Sequence, residues 1–145
     1  MISTKAAATA GIAAAAAAGL CATAAPAAAV YDVREFPTVY TLGQDGLCFG
    51  RIQSAIGPEG QGLASFQVDA QLYGVGSCSV PLTLDWRNLD TGETGTRTVT
   101  VPGPGSWNIG RSAMFRPGGV GQFVATLRVG PAHLPEPGTI TFRVD

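Results

Sequence analysis

His133 is the only histidine in the chain, so any hydrolytic triad would have to use it as the base. It sits in Gly130-Pro131-Ala132-His133-Leu134-Pro135-Glu136-Pro137-Gly138, a stiff segment between two alternating apolar runs. A triad also needs a nucleophile within hydrogen-bond reach of the imidazole and a carboxylate that orients the ring. The sequence has no G-x-S-x-G elbow to present a serine. The expectation is therefore a solvated histidine, or one that satisfies a neighbouring carbonyl. Two functional alternatives remain for this segment: a small secreted hydrolase using His133, and a secreted inhibitor or effector that presents the 131–137 loop to another protein.

Two further stretches carry chemistry-bearing residues. Asn88-Leu89-Asp90-Thr91-Gly92-Glu93 is dense in oxygen ligands, but it lacks the alternating acids, the Gly at position 6 and the Glu at position 12 of an EF-type calcium loop. Its composition suits a hairpin connection in which Gly92 takes a positive φ. The stretch from 102 to 122, PGPGSWNIGRSAMFRPGGVGQ, interleaves Trp107, Ile109, Met114 and Phe115 with Arg111 and Arg116. Aromatics beside arginines are the residue types that carry most contact energy at interfaces. Trp107, Arg111, Phe115 and Arg116 are thus the candidate ligand or partner contacts. The competing expectation is that Trp107 and Phe115 plug an open end of the fold, or that Ser106–Arg111 forms an edge strand. No dinucleotide or phosphate loop, no H-E-x-x-H and no CxxC is present, so no cofactor and no metal is expected.

Period-2 alternation locates the elements that must position these residues. Cys78, Val80, Leu82, Leu84 and Trp86 share one face of a run, opposite Ser79, Thr83, Asp85 and Arg87. Phe66–Leu72, Phe123–Val129 and Ile140–Val144 alternate in the same way, and Thr38–Leu42, Leu47–Ile56 and Thr96–Val101 do so more weakly. No stretch carries a helical stripe. Gly and Pro make up 27 of the 116 residues from 30 onward and cluster between these runs, as turns do. Apolar-in, polar-out alternation favours antiparallel sheets with one solvated face. The spacing predicts an all-β, antiparallel β-sandwich of about seven strands in a single domain, residues 30–145.

Residues 1–29 have a different composition: 16 Ala, one charge at Lys5 and no aromatic. They read as a secretory signal peptide ending in Ala27-Ala28-Ala29, with cleavage expected between Ala29 and Val30. A retained anchor and lipidation at Cys21 are the alternatives. Ala and Gly make a weak membrane span, and Leu20 is bulky where a lipidation signal wants a small residue. The remaining chain has eight Arg, no Lys and ten acids, a net charge of −2, which argues against a nucleic-acid partner. Cleavage removes Cys21 and leaves Cys48 and Cys78, which in an exported domain most simply form one disulfide. Closing that 30-residue loop contributes about 3–4 kcal/mol in the chain-entropy model.

The Cys…Trp…Cys order of true immunoglobulin domains is absent, since Trp86 follows both cysteines and the tyrosine-corner position is Gly76. In its leader and strand rhythm the chain nonetheless resembles the small exported immunoglobulin-like sandwiches of high-GC Gram-positive bacteria. That resemblance implies a secreted or cell-surface location and no particular activity. The expected role is a non-enzymatic binding or structural module, with an unknown protein or cell-envelope ligand as partner, and with no stable membrane span after leader cleavage.

Overall fold

A computed structural model describes residues 32–44 and 47–145, although the side chains of Arg111 and Ser112 fall outside that description. The segment expected to be a leader, with its expected cleavage site between Ala29 and Val30, also lies outside the described residues. In chain order the strands are β1 (Arg34–Glu35), β2 (Val39–Leu42), β3 (Leu47–Gly60), β4 (Leu63–Val75), β5 (Cys78–Asn88), β6 (Thr94–Gly103), β7 (Gly105–Asn108), β8 (Met114–Phe115), β9 (Gly121–Val129), β10 (His133–Leu134) and β11 (Thr139–Val144). Each of the seven expected runs lies in one of the seven longer strands other than β7. The four additional strands, β1, β7, β8 and β10, are two to four residues long. The two-residue strands β1, β8 and β10 cannot announce themselves through alternation, because two residues do not define a period.

The strands form two antiparallel sheets, β10-β2-β3-β4-β7 with β1 on β3 and β8 on β4, and β11-β9-β5-β6. The molecule is an all-β sandwich. The inner faces meet over Ile52, Ile56, Phe66 and Leu72 from the first sheet and Leu82, Leu84, Phe123 and Phe142 from the second, all essentially inaccessible to solvent. The Phe123 and Phe142 rings stack across β9 and β11 with centroids 5.5 Å apart. Burying side chains of this size stabilises the fold by roughly 1.5–3 kcal/mol each.

Cys48 is the second residue of β3 in one sheet and Cys78 the first of β5 in the other, and the two are joined in a buried disulfide with Cα atoms 6.4 Å apart. The bond therefore bolts sheet to sheet. Gly103, opposite Cys78 in the β5–β6 ladder, makes room for it: a Cβ there would come 2.8 Å from the Cys78 sulfur. At the other end of that ladder, Gly92 adopts φ +82°, as the hairpin reading of Asn88–Glu93 requires. Fully buried Asn88 holds the turn, its Oδ1 accepting from the Asp90 and Thr91 amides at 2.9 and 3.2 Å.

Candidate functional site

Once the disulfide turns Cys48 inward, period two forces Leu47 and Phe49 outward. The same parity acts on the neighbours: Val39 and Thr41 are buried, so Tyr40 and Leu42 face solvent, and buried Leu72 sends Tyr73 out. Cross-strand register then gathers these side chains at one end of the first sheet's outer face. Leu42, Phe49 and Tyr73 lie in one row across β2, β3 and β4, and Leu47 pairs with Val75 in a second. A third row runs Leu134, Tyr40, Arg51, Gln71 and Ser106 from β10 to β7. The Phe49 and Tyr73 rings touch in a tilted pair, 6.1 Å between centroids, yet Phe49 is still 60 % exposed. Leu47 is 86 % exposed and Leu134 76 %.

Between Tyr40, Leu42 and Leu134 on one side and Phe49 and Tyr73 on the other runs a groove of about 480 Å³. Arg51 is the only Arg or carboxylate among its described lining residues. Next along the same face lies a polar trough of about 620 Å³ lined by Gln53, Gln67, Asp69, Gln71, Ser106 and Asn108, into which Arg51 also reaches. There the Ser106 hydroxyl donates to Gln71 Oε1. Water-facing amides and a carboxylate are the ordinary content of an outer sheet face. A contiguous set of seven exposed apolar side chains is not, and such patches mark contact surfaces.

The residues expected to make contacts are placed differently. Trp107 and Phe115 are half-buried and pack against the core. β7 carries Trp107 along the edge of β4, so the edge strand expected over Ser106–Arg111 is present from Gly105 to Asn108 and gives way to a 3-10 turn at Gly110–Ala113. Phe115 closes one side of the sandwich against Trp86 of the other sheet, with centroids 4.8 Å apart, and Arg97 lies over its ring at 5.3 Å. The Trp86 indole N–H donates to the Pro117 carbonyl at 3.1 Å, and Arg97 donates to the Met114 carbonyl at 3.1 Å. Arg116 is exposed. Arg111 lies in the short 3-10 turn Gly110–Ala113, its side chain outside the described residues.

His133 is tied into the edge of the first sheet. β10 pairs with β2, and the Ala132 carbonyl accepts from the Leu42 amide at 3.0 Å. The imidazole Nδ1 is 2.6 Å from the Pro131 carbonyl and Nε2 is 3.3 Å from Glu136 Oε2. Both neighbours are acceptors, and no hydroxyl stands within hydrogen-bond distance of the ring among the described residues. A carboxylate partner is therefore present, but the nucleophile of a triad is not assembled. Leu134, in the same Pro-rich segment, projects into the apolar groove.

The exposed set carried a signal in the sequence that points in the opposite direction from strand detection. Val39-Tyr40, Leu47-Cys48-Phe49 and Leu72-Tyr73 are consecutive apolar residues, which weaken the alternation of β2 and β3. In a strand, consecutive apolar residues mean that both faces are apolar, and here only one face has a partner sheet.

Among the described residues no group of three or more His, Cys, Asp or Glu could hold a metal, and no helix is long and apolar enough to cross a membrane. Comparison with known proteins finds no matching family model, no similar curated protein and no similar solved structure.

Proposed function

We propose that this protein is an exported, non-enzymatic β-sandwich of immunoglobulin-like build that works by contact, through the apolar end of its first sheet. The observation that carries this reading is the clustering of Tyr40, Leu42, Leu47, Phe49, Tyr73, Val75 and Leu134 on one outer face, where each remains more than half exposed. Parity alone would allow polar residues at all seven positions without loss of core. The sheet could therefore be built without this surface, and a contact role accounts for its presence. Export is supported by the composition of residues 1–29 and by the buried Cys48–Cys78 bond, which belongs in an oxidising compartment.

The test replaces the two rings that rise from the middle of the face. A Phe49→Gln, Tyr73→Gln variant should keep the melting temperature within a few degrees, since both side chains are mostly in solvent already. It should lose most of the binding of a hydrophobic fluorescent probe to the folded protein. Probe binding equal to that of the unaltered protein would sink the reading.

A further inference from the structure

The exposed apolar face is large enough to need a macromolecular cover, and its relief supplies one. Three of the seven residues are aromatic, each with roughly 150–250 Å² to present, and with the four smaller Leu and Val side chains, all exposed by half or more, the face amounts to on the order of 500–900 Å². The largest apolar patch on a typical monomer is roughly 300–600 Å², whereas each partner in a standard protein–protein interface buries about 800 Å². The face thus falls in the range of one half of a stable dimer. It also holds both a projection and a depression: Leu47 and Val75, paired across β3 and β4 and each more than 80 % exposed, stand beside the 480 Å³ groove bounded by Tyr40, Leu42, Phe49 and Leu134.

We propose that the occupant of this face is a second copy of the chain, docked about a two-fold axis that passes between projection and groove. Each copy then inserts its Leu47–Val75 pair into the groove of the other. An isologous interface requires a surface that complements itself, and a projection beside a groove of apolar lining meets that requirement without another protein. Charge does not oppose it. Arg51 is the only Arg or carboxylate lining the groove among the described residues, and it sits at the margin, next to the polar trough where it can stay solvated. The Tyr40 hydroxyl, beside Arg51, provides a polar group for the rim, the usual surround of an apolar interface centre. This inference rests on the reading of the face as a contact surface and names its partner.

Sedimentation equilibrium of the purified, disulfide-bonded protein from about 1 to about 500 μM tests it, because a self-association is set by protomer concentration. The mass should rise from one chain to two across that range. Leu47→Glu and, separately, Val75→Glu should weaken the association at least tenfold, since each buries a charge in an apolar groove. Both positions lie in solvent in the single copy, so both variants should fold. Thr98→Glu, on the outer face of the other sheet, should leave the association unchanged. Either a single-chain mass at every concentration or a dimer indifferent to both Glu substitutions overturns the proposal. The contact-surface reading would still stand in those cases if Phe49→Gln, Tyr73→Gln abolished probe binding, so the two can fail separately.

Discussion

The two sheets of the sandwich treat their outer faces in opposite ways. On β5, β6, β9 and β11 the outward positions include Thr83, Asp85, Thr96, Thr98, Thr100, Thr126, Arg128, Thr139 and Thr141, with Pro81, Pro102 and Val124 as apolar exceptions. Five of these side chains pair across strands: Thr96 Oγ1 donates to Asp85 Oδ1 at 2.7 Å, Arg128 pairs with Asp85 at 2.5 Å, and the Thr126 and Thr139 hydroxyls are 2.9 Å apart. At one end of the other sheet, the outward positions of β2, β3, β4 and β10 hold rings and aliphatic chains that touch one another but remain more than half exposed. β-branched threonine fits a pleated, half-solvated sheet, so the first face needs no explanation beyond folding. The second exceeds what folding requires, and that surplus is what supports the proposed contact role.

The largest effect expected on this comparison comes from the bolt that fixes the parity of β3. Replacing both cysteines by alanine should cost about 3–4 kcal/mol in urea unfolding, the loop-closure contribution of a 30-residue separation. If the loss is well below 1 kcal/mol, the disulfide does not hold the sheets in register. Next, Trp107→Ala should cost about 2 kcal/mol, less than a fully buried aromatic because the ring is half-buried at the sheet edge. A thermal melt superimposable on that of the unaltered protein would return Trp107 to the exposed contacts. Asp85→Ala removes the hub of the threonine face, and should cost no more than about 1 kcal/mol because the ion pair is solvent-accessible. The smallest stability change belongs to Phe49→Gln, Tyr73→Gln, in which the surface property changes most. If this pair destabilised the fold more than Asp85→Ala did, the apolar face would be part of the folding core, and the contrast between the faces would collapse.

Much of the fold was legible because strong alternation reports strong one-sidedness. Cys78–Arg87 and Phe123–Val129 alternate cleanly, and they are neighbours at the centre of the sheet whose outer face is polar. Of the three runs that alternate weakly, Thr38–Leu42 and Leu47–Ile56 carry apolar residues at outer positions, whereas Thr96–Val101 has threonines there. The irregularity that obscures the first two as strands is itself the mark of the candidate site. The stretch from 102 to 122 shows the limit of reading composition alone. Its Trp, Phe and Arg have the composition of a contact surface, but β7 and β8 hydrogen-bond to β4 and turn the aromatic side chains toward the core.

By itself the sequence determined an all-β sandwich, a turn at Gly92, a Cys48–Cys78 bond and a split in composition at residue 29. Each of these follows from local chemistry: side-chain period, φ preference, cysteine count and residue type. Only the tertiary structure decided which apolar residues remain in water. Tyr40, Phe49, Tyr73 and Leu134 are far apart in the chain, and nothing local to any of them says that the other three stand beside it. Cross-strand register brings them together, and the position of the second sheet leaves that side of them uncovered. An exposed patch is a property of several strands at once, so it exists only after they have paired.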